Sequence, residues 1–306
     1  MSYAPKFNTT KRMPLRRKIF NKIHDVFSPS PLSDNDGVKR IIEMLNSDNP
    51  CMISRYGSTE LQTLSYFKLF PFLLPLKGRT YYNIQYMSGF FPVTTENLKQ
   101  FYKLFKDDAK QIDLLVTWRF EELFFKGWLK HTTRIMKSTF DRFFMQESPW
   151  TQALAGKKIL VVHPFAETIE KQYKENRAKL FANPLVLPEF ASLTTIKAVQ
   201  SVAGTPVDFP TWFEALKYME DEMDMVDYDI CILGCGAYGM PLAAHAKRMG
   251  KKAIHLGGIT QILFGISGKV YREDPITCMY INEYFVTPNI NETPKGAKLV
   301  EGGCYW

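Results

Sequence analysis

The alternation of short apolar runs with helical segments is the feature that most constrains the fold of this 306-residue chain. Six runs have the length and composition of buried β-strands, and segments with apolar residues at helical spacing separate them. The predicted strands are residues 51–54, 112–118, 157–163, 184–188, 228–234 and 251–256. Strands and helices that alternate in this way form a parallel sheet with helices covering it. We therefore predict an α/β protein with a Rossmann-like, mostly parallel sheet and helices on both faces.

Capping residues and apolar spacing predict where the helices lie. Ser33 is expected to begin one helix, and Thr94 or Thr95 to begin another. The predicted helices are residues 33–45, a segment containing Leu61 and Leu64, residues 95–106, 166–181, 211–223 and 238–249. Two aromatic-rich helices are predicted between 118 and about 144, where Trp118 is expected to serve the core. The segment 70–91 has no clear pattern.

The positive charge is concentrated at the N-terminus. The chain has 39 Lys and Arg against 31 Asp and Glu, and seven of the basic residues lie in residues 1–24, which hold no acidic residue. The remaining 32 basic and 31 acidic residues are nearly balanced, which argues against a nucleic-acid groove across the fold. We predict a basic N-terminal extension over 1–33 and a single domain over 34–306.

The basic extension has the pattern of an amphipathic helix over residues 11–27. Its apolar residues recur at helical spacing among arginines and lysines: Leu15, Ile19, Ile23, Val26 and Phe27. Such a helix lies in a membrane interface and binds anionic lipid. Two alternatives stay open, a disordered basic extension and a helix docked on the domain.

Cysteine usage and hydropathy predict the compartment. The five cysteines show no CxxC spacing, so neither a disulfide framework nor a zinc site is expected. No secretory signal and no apolar run of membrane-spanning length is evident. We predict a cytoplasmic protein, held at the inner membrane surface if the basic helix binds lipid.

Polar residues and glycines follow the apolar interior of each predicted strand. These ends are residues 54–57, 118–119, 163–164, 188–189, 234–236 and 255–258. In open α/β sheets the ligand crevice lies outside the carboxyl ends of the strands. The pattern favours a ligand site at this edge, although strands also end in polar residues without any site.

The sequence GCGAYG is a GxGxxG pattern between a strand and a helix. Gly234 suits a tight turn, Gly236 the close approach of a phosphate, and Gly239 the packing of helix on strand. Dinucleotide binding also needs an acidic residue at the end of the next strand, where His255 stands instead. NAD binding is therefore weakly indicated, and the loop serves either a phosphate or simply a close turn.

A second motif, RYGSTEL, follows the first predicted strand and begins a helix. Arg55 at the strand end suits a phosphate, and the Glu60 carboxylate suits a hard cation. The alternative is structural, with Glu60 at the positive end of the helix and Arg55 as its ion-pair partner.

These motifs together resemble the GT-D-type glycosyltransferases, bacterial enzymes with a Rossmann-like domain. The family's R-F-G-D-G-E-L motif matches residues 55–61, which include Tyr56, Gly57 and Ser58. Its late D-x-x-L-I-x-x-G strand and G-x-x-A-x-D-I-G-H segment match residues 229–234 and 250–258. The resemblance spans roughly residues 38–270 in order, and it implies that Arg55 and Glu60 bind the donor.

The resemblance also implies a manganese or magnesium ion that the family's D-x-E holds with a nucleotide diphosphate. Here Ser58 replaces the Asp, so Glu60 is the remaining metal ligand and weak metal dependence is expected. The family's Asp-Ile-Gly-His is His255-Leu256-Gly257-Gly258, which places His255 and Gly257 among the expected donor-binding residues.

The resemblance implies a glycosyltransferase that moves a sugar from a nucleotide-sugar donor to a glycan or lipid-linked acceptor in surface-polysaccharide synthesis. His163, Glu167 and Glu189 are candidates for the base that deprotonates the acceptor hydroxyl. Two alternatives remain: an oxidoreductase or similar Rossmann enzyme that binds a dinucleotide or adenosyl cofactor, and a non-catalytic nucleotide-binding protein.

Overall fold

The computed structural model describes residues 30–69, 74–300 and 302–306, and within them one seven-stranded sheet in which every strand pair is parallel. The strands are β1 (Cys51–Ser54), β2 (Leu114–Thr117), β3 (Thr133–Met136), β4 (Lys158–His163), β5 (Ser192–Lys197), β6 (Ile230–Leu233) and β7 (Lys252–His255). Their order across the sheet is β3-β2-β1-β7-β6-β4-β5. The predicted α/β, Rossmann-like fold is confirmed.

Helices follow most of the strands. They are α1 (Asp34–Asn46), α2 (Ser58–Leu69), α3 (Leu74–Tyr86), α4 (Thr95–Ala109), α5 (Lys137–Asp141), α6 (Ala166–Leu180), α7 (Trp212–Asp224), α8 (Gly239–Arg248), α9 (Thr260–Leu263) and α10 (Lys269–Arg272). Ser33 and Thr94 accept hydrogen bonds from the first turns of α1 and α4, which confirms both predicted caps. None of the helices in the described ranges is long and apolar enough to cross a bilayer.

Two hydrophobic layers cover the two faces of the sheet. Because successive residues of a strand point to opposite faces, Leu160 and Val162 pack into one layer while Ile159 and Val161 pack into the other. Strands buried on both faces are continuous apolar runs, as parallel strands require. This is why the central strands were recognisable from the sequence.

Both edge strands were missed, and both are partly polar. The segment 184–188 is not a strand; Val186 and Leu187 enter the core from a loop between two prolines, and β5 begins four residues later. In β5 most residues are at least partly exposed. The predicted pair of aromatic helices is also wrong: a 3₁₀ helix (Phe120–Trp128) leads into β3 and the short α5.

The strand order determines where a crevice opens. From β1 the chain moves outward through β2 and β3, and then crosses to β4 and β5 on the other side. β6 and β7 fill the space between, so the carboxyl ends of β1, β7, β6 and β4 are neighbours. A reversal of this kind is where open α/β sheets bind ligands. The predicted amphipathic helix over 11–27 lies outside the described residues.

Candidate active site

A cleft along the carboxyl ends of the strands consists of three adjoining cavities. The first cavity, of about 210 Å³, lies beside the ends of β4 and β6 and is lined by His163, Phe165 and Gln261 among others. The second, of about 200 Å³, lies over the ends of β1 and β7. The third, of about 370 Å³, lies towards α5. Gly258 and Tyr305 line all three, so the cavities form one continuous cleft.

Arg55 lies between the second and third cavities. Its Nη1 donates to both carboxylate oxygens of Asp141, at 3.3 and 3.4 Å, and Lys137 pairs with the same carboxylate. Two cations thus share one anion, which leaves net positive charge at this part of the wall. Asp141 and Lys137 are functional candidates that the sequence did not reveal, because they follow the unrecognised edge strand β3.

The ring of Trp118 packs against this cationic group. The guanidinium of Arg55 lies 5.2 Å from the ring centroid, and the indole Nε1 donates to the Tyr56 carbonyl at 3.0 Å. Cations are attracted to the indole face. Trp118 lines the second and third cavities, so the interpretation of this residue as purely core is wrong. Arg119 also lies over the ring, at 5.4 Å, but pairs with Glu121 and does not line the cleft.

Glu60 is folded back into the turn between β1 and α2. A Cβ added at Gly57 would lie 1.9 Å from its Oε2, so only glycine leaves room for this carboxylate. The side chain is 6% exposed, and burial raises its pKa, an effect opposed by hydrogen bonds from its own backbone and from Ser88 and by the charge of Arg55. Glu60 lines the second cavity and is its only acidic residue in the described part of the chain.

His163 lines the first cavity as a neutral hydrogen-bonding group. The backbone N–H of Phe165 donates to its Nδ1 at 2.9 Å, so the ring proton is on Nε2. Burial lowers the pKa of His163 to about 3. The geometry therefore makes it a hydrogen-bond donor rather than a proton acceptor. A Cβ at Gly234 would lie 2.5 Å from its ring, so this glycine makes room for the imidazole.

His255 is held in a similar way beneath the second cavity. Its Nδ1 lies 3.2 Å from the Ser54 hydroxyl, and a Cβ at Gly239 would lie 2.3 Å from its Nε2. Burial, together with the nearby Arg55 charge, lowers the pKa of His255 to about 3. The last glycine of GCGAYG therefore allows the start of α8 to approach the end of β7.

Gly236 and Gly257 provide the open backbone of the second cavity. Both have left-handed φ values, 59° and 71°. The nearest atom to a Cβ at Gly236 would be the Ser88 carbonyl at 3.9 Å, and a Cβ at Gly257 would be 3.8 Å from the Arg55 guanidinium. Of the three glycines in GCGAYG, Gly236 is thus the one not in close contact with a neighbouring side chain.

Four of the predicted site residues do not line the cleft, and one of them is Gly239, which packs against the His255 ring. Tyr56 is fully buried against Phe125 beneath it. Glu167 is exposed at the start of α6 and pairs with Lys197. Glu189 lies near the amino ends of the strands, at the end of the sheet away from the cleft. Its backbone carbonyl accepts a hydrogen bond from the N–H of Gly156, two residues before β4.

The oxygen donors of the second cavity do not match a metal held by the protein. Mg²⁺ and Mn²⁺ take about six oxygen ligands, usually with carboxylates among them. Here Glu60 supplies one carboxylate, and Ser58, Thr59 and Ser88 carry hydroxyls. Asp141 is paired with two cations. In the described ranges no three His, Cys, Asp or Glu residues form a metal-binding group.

Comparison with known proteins gives one family. The profile of the GT-D fold-like domain matches residues 32–263. Two solved structures are similar at low identity. One, a selenomethionine-substituted domain of unknown function 1792, is 12% identical, with coverage of 78% of this chain and 82% of the other and a TM-score of 0.44. The second, a glycosyltransferase of the same domain type from Streptococcus sanguinis, is 13% identical, with coverage of 86% and 96% and a TM-score of 0.39. No curated protein sequence matches the chain.

Proposed function

Because this chain belongs to the GT-D-like family of glycosyltransferases, we propose that it transfers a sugar from a nucleotide-sugar donor whose diphosphate binds in the second cavity. The observation that carries the proposal is that Arg55 lines the same cavity as the open backbone at Gly236 and Gly257. A diphosphate needs positive charge and close backbone approach, and this cavity supplies both.

In this proposal Arg55 stabilises the leaving group. Its guanidinium lies against Trp118 and Asp141, which fix its orientation, while Lys137 takes up part of the Asp141 charge. The backbone at Gly236 approaches the phosphate oxygens without a side chain between them. The oxygen donors present do not favour a bound metal, so these groups must neutralise the diphosphate.

Glu60 is the proposed base. The acceptor hydroxyl gives its proton to the Glu60 carboxylate while its oxygen forms a bond with the anomeric carbon of the donor sugar. The bond between that carbon and the phosphate oxygen breaks, and the nucleoside diphosphate leaves with the electron pair. The raised pKa of Glu60 makes the carboxylate a better proton acceptor than an exposed glutamate.

The family and the basic extension support a finer biological proposal. We propose a glycan or lipid-linked acceptor in surface-polysaccharide synthesis, with residues 11–27 holding the enzyme at the cytoplasmic face of the membrane. Full-length protein should then sediment with anionic vesicles at low salt, and a chain starting at Ser28 should stay in solution. Equal sedimentation of both proteins would contradict the membrane contact.

A thermal-shift panel tests the proposed function against the cofactor-binding alternatives. Nucleotide sugars should raise the melting temperature, while NAD(H), NADP(H) and S-adenosylmethionine should not, since a ligand of the native state stabilises it by mass action. β7 ends in His255 rather than in a carboxylate that would hold a cofactor ribose, which supports this expectation. Stabilisation by NADH alone would overturn the proposal.

A further inference from the structure

We propose that the first cavity is the subsite for the nucleobase of the donor, an inference that rests on the proposed function. The first cavity joins the second directly, and Ser88 and Gly236 line both. A nucleotide whose diphosphate lies over Gly236 therefore has its nucleoside portion within reach of the first cavity.

The lining of the first cavity matches a flat heteroaromatic ring. None of its described lining residues carries a charge, since His163 is neutral. Aromatic side chains are prominent in the wall, among them Phe165, Tyr305 and Trp306. Nucleobases present π-faces that stack on aromatic side chains, together with a polar edge that needs a few directed hydrogen bonds.

Two buried polar atoms of this wall lack a partner among the described residues. Gln261 is 3% exposed and its Oε1 accepts no hydrogen bond; the indole Nε1 of Trp306 donates none. A buried polar group without a partner destabilises the folded protein. One acceptor and one donor in the same wall are what a base edge with neighbouring N–H and carbonyl groups requires.

The third cavity has the opposite character. It is lined by five charged side chains, and its volume is larger. The charged residues are Arg55, Lys137, Asp141, Arg142 and Asp274. Hydroxyl-rich sugars use many hydrogen bonds to such groups, so this cavity suits the sugar and acceptor, and the uncharged first cavity is left for the base.

The test replaces Gln261 by a residue of similar size without the amide. In Gln261→Met the affinity for a nucleoside diphosphate should fall about five- to tenfold, the effect of one lost hydrogen bond. The probes are UDP, CDP, GDP and ADP, measured by calorimetry with no sugar attached. Gln100→Met, at an exposed position of α4, is the matched control and should bind like the wild type.

The melting temperature of the ligand-free protein separates binding from folding. Because the Gln261 carbonyl lacks a partner, Gln261→Met should not lower this melting temperature. A structural role for the Gln261 amide would lower it. Trp306→Phe keeps an aromatic ring but removes the indole N–H, and it should weaken the same diphosphate independently of the first variant.

Each outcome is decisive for one of the two proposals. If both variants bind the diphosphates normally but bind the nucleotide sugar weakly, the first cavity holds the sugar and the nucleobase assignment is overturned while the proposed function stands. If the wild type binds none of the four diphosphates and no nucleotide sugar, the proposed function itself fails. Reduced affinity for a diphosphate without loss of stability supports the assignment.

Discussion

The turn after β1 and the turn after β6 are built from similar sequence features but are filled differently. Both contain glycine, both connect a buried strand to a helix, and both meet in the second cavity. After β1, the Glu60 carboxylate occupies the space beside Gly57. After β6, no acidic side chain lies in the first turn of α8, and Gly236 leaves its backbone open.

The difference shows that a glycine-rich strand-to-helix turn is not by itself a phosphate site. Gly234 and Gly239 make room for the rings of His163 and His255, whereas Gly236 is in close contact with neither. The turn after β1 therefore supplies side-chain chemistry, and the turn after β6 supplies backbone.

The largest effect is expected at Glu60, because it is the proposed base. Glu60→Gln should lower kcat by about 100-fold or more while leaving the fold intact. Steady-state transfer assays measure it, with Glu167→Gln as the control, since that exposed residue at the start of α6 does not line the cleft. Normal turnover by Glu60→Gln would show that the catalytic base does not lie in the turn after β1.

The pH dependence of the same reaction identifies the group. A base must be deprotonated, so activity should fall as pH falls through the Glu60 pKa. Because burial raises this pKa, the acidic limb of the pH–rate profile should lie above the range of an ordinary glutamate. His163 and His255, whose pKa values burial lowers to about 3, should add no limb near neutrality. A histidine-like limb that survives in Glu60→Gln would contradict the assignment.

A smaller loss is expected at Arg55. Arg55→Met should lower kcat/KM about ten- to a hundredfold, the range for hydrogen bonds to a charged group. Arg119→Met is the matched control, because Arg119 contacts the same Trp118 ring but pairs with Glu121 outside the cleft. Equal losses of kcat/KM in the two variants would indicate that activity depends on the packing of arginines against Trp118 rather than on phosphate binding by Arg55.

The two glycine turns should respond differently to one added methyl group. In Gly57→Ala the new Cβ displaces Glu60, so kcat should fall and stability should decrease by about 1–3 kcal/mol. In Gly236→Ala the space is open but the left-handed φ costs about 1–2 kcal/mol, and the donor KM should rise several-fold. Denaturant unfolding measures the stability of each variant, and initial rates measure its kcat and donor KM. The same changes in kcat and KM in the two variants would contradict the different roles of the two turns.

The smallest effect is expected from a chelator. Because Glu60 is the one acidic residue of the second cavity in the described chain, most transfer activity should persist in EDTA. The measurement compares initial rates in EDTA with those in added manganese. Complete loss in EDTA, restored by manganese, would show that the donor and Glu60 together hold an ion, and it would shift phosphate neutralisation away from Arg55.

The central architecture was determined by the sequence. Residues 51–54, 157–163, 228–234 and 251–256 have apolar interiors because their strands are buried on both faces, and this is visible without coordinates. The same runs locate Arg55, Gly236 and Gly257 at strand ends. Ser33 and Thr94 marked helix starts because their hydroxyls satisfy backbone N–H groups locally.

Which of these residues share the cleft depends on how the distant strands assemble in the fold. β3 and β5 lie at the sheet edges and carry polar residues, so their periodicity was weak and the positions of Asp141 and Glu189 were unpredictable. The unpaired Gln261 carbonyl, the space beside Gly57 and the contact of His163 with Gly234 depend on segments far apart in sequence. Local pattern determines an element and its buried face, whereas contacts across the sheet edge arise only when distant strand ends are brought together.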